Sequence, residues 1–144
     1  MKKVLIFLGC VAAIIVFALR GCQAEIGEPS EIIPSVTDEI TLTITDATAT
    51  KAAYVITNNA AKELVFGYGS ILEKYQDGIW YSLVYKEDVA YPGVAMTIQA
   101  GQQKEETTSW RRHHGILNSG KYRLIKAVSD GNYDYLLSAE FELN

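Results

Sequence analysis

The chain has 144 residues, with 13 Lys and Arg against 17 Asp and Glu, a formal net charge of −4, 49% apolar and 10% aromatic residues. That length allows one domain with an appendage, and ordinary Gly, Pro and charged fractions exclude collagen-like, coiled-coil and disordered classes. An acidic chain without a long Lys/Arg run is no nucleic-acid binder by charge.

Met1-Lys2-Lys3 is a short basic start, Val4–Leu19 is a 16-residue apolar run broken only by Gly9 and Cys10, and Arg20 ends it. A basic start, an apolar stretch and then small residues make the pattern of a secretory signal. Sixteen residues fall a little short of the ~20 that span a bilayer. Leu19-Arg20-Gly21-Cys22 resembles the bacterial lipobox, with Leu three residues before the Cys and Gly directly before it. Arg20 departs from the small or apolar residue of that motif. The resemblance implies cleavage before Cys22, acylation of that cysteine with palmitate-type chains, and an extracytoplasmic domain lipid-anchored to a bacterial cell membrane. Phe7-Leu8-Gly9-Cys10 also matches, but leaves too short an apolar region before it. An uncleaved anchor and a secreted form cut after Ala24 fit the same segment. Cleavage before Cys22 removes Lys2, Lys3, Cys10 and Arg20, leaving ten basic residues against 17 acidic ones and no thiol beyond Cys22 itself. The domain then has no disulfide framework and rests on its apolar core.

Residues 23–38 hold Pro29 and Pro34, several acidic residues and no clean period, and read as a tether. Ile32, Ile33 and Val36 packing as a first edge strand is the alternative, since proline confines strands to edges. From Glu39 onward the chain reads as strands. Ile40, Leu42 and Ile44 alternate with threonines, the period of a half-buried strand. Ala52–Thr57 is a second run, and Leu64–Tyr75 a third with Gly67 and Gly69 inside it, where glycine predicts a bulge or a close backbone approach. Asp77-Gly78 predicts a hairpin turn into Ile79–Tyr85. Tyr91-Pro92-Gly93 marks another turn. Short strands around Ala100-Gly101, then Lys121–Val128 and Tyr135–Leu143, complete the pattern. No helical stripe interrupts it. The spacing predicts an all-β, antiparallel sandwich of about seven to eight strands over residues 39–144.

Leu117-Asn118-Ser119-Gly120-Lys121-Tyr122-Arg123-Leu124 fits L-x-x-G-x-Y-x-L, the tyrosine corner of immunoglobulin-like sandwiches, in which a strand-entry tyrosine bonds its hydroxyl to upstream backbone. Leu117, Gly120 and Tyr122 are its structural residues. With Thr57-Asn58-Asn59, Lys62-Glu63-Leu64, Phe66-Gly67-Tyr68-Gly69, Leu72-Glu73, Gly78-Ile79-Trp80-Tyr81 and Ala139-Glu140-Phe141, it resembles a bacterial Ig-like domain of surface proteins and lipoproteins. The intracellular-proteinase-inhibitor type of sandwich shares the corner. The resemblance implies the fold and carries little about chemistry.

No residue set reads as catalytic. His113 and His114, the two histidines, are adjacent, so a strand would point them to opposite faces, and no metal site is expected of them. The serines offer no G-x-S-x-G elbow, and Glu87-Asp88 and Glu105-Glu106 do not define facing carboxyls across a cleft. No cofactor is expected. Trp110, Arg111, Arg112 and His113 concentrate an aromatic and cations in an acidic domain, the residue types of binding hot spots. The alternative is that Trp110 plugs the end of the sandwich while the arginines pair with Glu105 or Glu106. Tyr68, Tyr75, Tyr81, Tyr85 and Tyr91, with Trp80, form a sugar or protein platform if they share one face, and otherwise simply suit half-buried strand positions. The expectation is a non-enzymatic, membrane-anchored lipoprotein whose domain serves binding, adhesion or scaffolding toward a protein or glycan, with no nucleic-acid partner. The alternative is an inhibitor of an extracellular hydrolase presenting residues 110–115.

Overall fold

The computed structural model describes residues 22–87 and 90–144. The apolar run and the residues of the lipobox before Cys22 lie outside them. Ten strands follow in order: β1 Ile26–Pro29, β2 Ile40–Ala47, β3 Lys51–Asn58, β4 Leu64–Phe66, β5 Ile71–Gln76, β6 Ile79–Leu83, β7 Met96–Ile98, β8 Gln103–Ser109, β9 Gly120–Ser129 and β10 Asp134–Leu143. They form two antiparallel sheets, β2-β3-β8 and a larger one centred on β9, which pairs with β10 along one edge and with β5 and β4 along the other. β6 and β1 extend the β5 side, and β7 extends the β4 side. This is an immunoglobulin-like sandwich.

The period-two pattern sorts side chains between core and surface. Ile40 and Leu42 of β2 and Ala52, Tyr54 and Ile56 of β3 are buried, and so are Tyr122, Leu124 and Val128 of β9 and Leu137 and Phe141 of β10. Asn58 sits fully buried at the end of β3. Its Nδ2 donates to Lys62 O (2.8 Å) and Ile98 O (3.0 Å), while its Oδ1 accepts from Ala60 N (3.0 Å). A buried amide with every group partnered fixes the loop it faces.

Two differences from the sequence reading have physical causes. The run Leu64–Tyr75 is two strands, not one. β4 pairs with the end of β9 (Val65↔Ser129) and β5 with its beginning (Tyr75↔Lys121). Gly67 and Gly69 lie in the switch between them, and neither has backbone crowding it. Their carbonyls instead accept from Lys126 Nζ, at 2.8 and 2.7 Å.

Residues 23–38 do not hang as a tether. β1 pairs with β6 (Ile26↔Leu83). The chain then straps across the outer face of the larger sheet: Ser30 N bonds Trp80 O (2.8 Å) and Ser35 N bonds Leu136 O (2.9 Å). Strand edges from distant sequence supply the partners that a proline-containing segment lacks on its own. Ile33 and Val36 stand out at 87% and 98% exposure, so they are no part of an edge strand's buried side.

Beneath the strap lies an ion pair. Glu73 of β5 and Arg123 of β9 face each other in register, Ser30 Oγ donates to Glu73 Oε1, and Arg123 Nη2 donates to Ile32 O (3.2 Å).

Candidate functional site

The segment between β8 and β9 folds as a single helical turn. His114 N bonds Trp110 O (2.8 Å) and Gly115 N bonds Arg111 O (2.9 Å). Gly115 ends the turn with φ +98°, a left-handed conformation that glycine adopts freely. A Cβ there would lie 2.5 Å from Cys22 O, so the position also admits the N-terminal backbone against the turn.

The turn separates the residues singled out from sequence. Trp110 is 3% exposed. Its Nε1 donates to Ala49 O (2.9 Å), and its ring stacks on Phe141 (5.6 Å between centroids), which stacks in turn on Tyr122. Trp110 therefore closes the end of the sandwich and offers no aromatic anchor to a partner. Arg111 and Arg112 point outward. Arg112 Nε bonds Glu87 Oε2 (2.9 Å), with the Arg112 side chain 82% exposed. Arg112 thus pairs with Glu87, while Glu106 lies near Lys104 (4.0 Å) on β8. His113 meets the Tyr91 ring edge-on (5.7 Å). His114 is buried against Tyr85 (4.5 Å) with Nδ1 2.9 Å from Val84 O. Burial, opposed by the Val84 carbonyl, holds its pKa below the usual imidazole value, and Nδ1, which faces a carbonyl oxygen, carries the donated proton.

The corner residues lie beside this turn. Tyr122 Oη is 2.8 Å from Asn118 O and 2.9 Å from Asn118 Oδ1, and burial pushes the phenol up to about 12. Leu117 is buried and its N–H bonds Ala49 O (2.9 Å). Gly120 opens β9 at φ +148°.

The tyrosines form no single platform: Tyr81 lies opposite Lys74, on the side of the sheet that carries Tyr122, and those on the outer face fall in separate groups. Tyr75 and Trp80 pair across the β5–β6 hairpin (4.9 Å), and that aromatic surface is already occupied: Lys121 Nζ lies 5.0 Å from the Tyr75 ring and Arg123 4.5 Å from Trp80. Tyr85 and Tyr91 instead border a cleft of about 410 Å³ on the outer face of β9, with Ile71, Ile125, Ala127 and Leu136.

The feature sequence reasoning missed is the position of Cys22. Ile116 N donates to Cys22 O (2.7 Å), Ala24 N to Ile116 O (2.9 Å), and Val84 N to Glu25 O (2.9 Å). Cys22 is free and exposed. It borders a groove of about 560 Å³ with Lys86, Glu87, Ser109, Arg111, Arg112, Gly115 and Ile116. The glycine after Arg-Arg-His-His was the one signal that a close backbone approach occurs there. Among the described residues no group of three or more His, Cys, Asp or Glu gathers as a metal site, and no helix is long and apolar enough to cross a membrane.

A family model described as a bacterial Ig-like domain matches residues 34–142. No curated protein matches the chain. Among solved structures, a Pseudomonas fluorescens alkylpurine DNA glycosylase AlkC bound to DNA containing an abasic site analog is 18% identical with TM-score 0.37, covering 74% of this chain and 30% of that one. A β-glucosidase involved in saponin metabolism from intestinal bacteria is 16% identical with TM-score 0.33, covering 84% of this chain and 16% of that one. A protein from Archaeoglobus fulgidus is 14% identical with TM-score 0.30, covering 74% and 97%. The chain spans less than a third of the length of the first two.

Proposed function

This chain belongs to the bacterial Ig-like domain family, and from that premise we propose that it is a non-catalytic extracytoplasmic module, lipid-anchored at Cys22, that works by binding, adhesion or scaffolding. The family is a non-catalytic one whose members are typically extracellular or surface-exposed. The observation that carries the anchored reading is Leu19-Arg20-Gly21-Cys22 directly after the apolar run. The exposed Cys22 thiol is consistent with it, because an acyltransferase has to reach that sulfur. Two acyl chains hold a protein at a membrane stably where one is marginal. With Trp110 buried, the Tyr85–Tyr91 cleft is the surface that this reading offers to a protein or glycan.

The test is metabolic labelling with an alkyne palmitate analogue, followed by fractionation of cells making the full chain or Cys22→Ser. Label in the membrane fraction of the wild type and none on the variant is expected. Label that persists on Cys22→Ser removes the assignment.

A further inference from the structure

Charge on this domain is distributed unevenly between its two ends, and register shows how. At one end, Lys51 of β3 stands opposite Ser109 of β8, beside Cys22 and the turn that carries Arg111 and Arg112. Lys86 joins them through Nζ to Gln23 O. Glu87, paired with Arg112, Asp46 at the Lys51 end of β2, and Glu25 beside Val84 offset part of that charge. At the other end, Asn58 binds the backbone of Gln102 and Gly101, and Asn59 N bonds Glu39 O. Glu63 contacts Gln99 there, and the β9–β10 turn brings Asp130 and Asp134. That pole is acidic on balance, with Lys62 beside Asp130 as its nearby cation.

Cys22 lies at the less acidic end, without slack. Its carbonyl is bonded to Ile116 N, the next residues are bonded to Ile116 O and Val84 N, and the backbone packs against Gly115. We propose that the groove face formed by Lys86, Arg111 and Arg112 around Cys22 lies directly on the phospholipid headgroup layer, anionic headgroups being its ligand, so that the domain is held upright with its acidic pole away from the bilayer. This rests on the anchored reading above. It holds equally for acyl chains on Cys22 and for an uncleaved apolar segment, since each brings the bilayer surface to that residue. Arg is suited to phosphate, which its planar fork can grip with two parallel donors. The domain's overall negative charge disfavours an anionic surface. Repulsion of the acidic pole therefore reinforces the orientation that the clamp imposes, over the ~10 Å reach of charge at 0.1 M salt.

The experiment uses the full chain as processed in cells, purified in detergent and reconstituted into vesicles of phosphatidylcholine with or without phosphatidylglycerol. A fluorophore is placed at Ser109→Cys, on the groove, or at Asn132→Cys, at the far pole, and quenching by headgroup-labelled lipid is read. Severalfold stronger quenching at position 109 than at 132 is expected in both mixtures. Adding Arg111→Glu and Arg112→Glu should at least halve the quenching at position 109 on phosphatidylglycerol vesicles while the protein still floats with them. Equal quenching at the two positions in a protein that floats overturns the orientation. Quenching at 109 that is indifferent to the arginine reversals overturns the headgroup contact. A chain that does not float with vesicles overturns the anchored reading instead, and the face falls with it. Circular dichroism of each variant confirms that it is folded.

Discussion

Arg123 and Glu73 meet across β9 and β5 with Nε 2.5 Å from Oε2, their side chains 8% and 0% exposed, beneath the backbone of residues 30–32. Two charges so far from solvent are held by geometry and by extra hydrogen bonds, because desolvation otherwise exceeds their attraction. Ser30 and Ile32 supply those extra bonds. The pair therefore joins the strap to the sheet as much as it joins two strands.

Removing one member strands the other. Arg123→Leu is expected to lower unfolding free energy by about 3 kcal/mol or more, while Arg123→Leu with Glu73→Leu recovers a good part of that loss. Urea titration followed by tryptophan emission measures both. A double variant less stable than the worse single one would count against the desolvation argument.

The turn between β8 and β9 divides core from surface within two residues. Trp110→Ala, which empties a packed aromatic site and orphans Ala49 O, is expected to cost about 3–5 kcal/mol. Arg111→Ala and Arg112→Ala should each stay within about 0.5 kcal/mol, because an exposed pair such as Arg112–Glu87 contributes little. Thermal melts of the three variants rank them. A tolerated Trp110→Ala would mean the ring is not a plug.

Gly115→Ala combines a left-handed backbone with a side chain placed 2.5 Å from Cys22 O. Strain of this kind costs about 1–3 kcal/mol, and relief comes from pushing the N-terminal segment away. Hydrogen exchange should show faster exchange of the Ile116 and Ala24 amides, which bond across this contact, with the β9 and β10 amides little changed. Unaltered protection of Ile116 is the contrary result.

Lys126 is fully buried, its ammonium over the Tyr54 and Phe66 rings. Burial lowers its pKa to about 8, with Glu106 opposing. Between pH 8 and the ordinary lysine value near 10.4 the unfolded chain binds a proton the folded chain has lost, so stability rises with pH across that window, by up to about 3 kcal/mol. Tyr54 and Tyr122, both raised to about 12 by burial, act in the opposite sense above pH 10, where the folded state keeps protons the unfolded state releases. Urea titrations from pH 7.5 to 10 should show the rise in wild type and not in Lys126→Met. Parallel profiles would remove Lys126 as its source.

Much of this was legible in local pattern. Alternation at Ile40, Leu42 and Ile44 marks β2, and Asp77-Gly78 turns the β5–β6 hairpin with φ of 53° and 82°. Counting by twos along β9 even places Lys126 in line with Tyr122, Leu124 and Val128, the inward set. The Glu73–Arg123 pair was not legible, because two charges 50 residues apart carry no sign that a strap will cover them. Nor was β1, since Ile26-Gly27-Glu28-Pro29 has no alternation and one strand former, Ile26, and takes its order from β6. Trp110 followed by two arginines reads the same whether the ring faces solvent or core. Only its partners Ala49 and Phe141, far along the chain in each direction, decide.

The strap also orders events in time. Ser30 waits for Trp80, Ile32 for Arg123 and Ser35 for Leu136, 101 residues later. Contacts so distant in sequence form slowly. The earliest of these residues to leave the ribosome are thus among the last to settle, and the sandwich cannot be sealed until β10 exists. On the extracytoplasmic reading proposed above, that schedule keeps the chain threadable until synthesis is nearly complete.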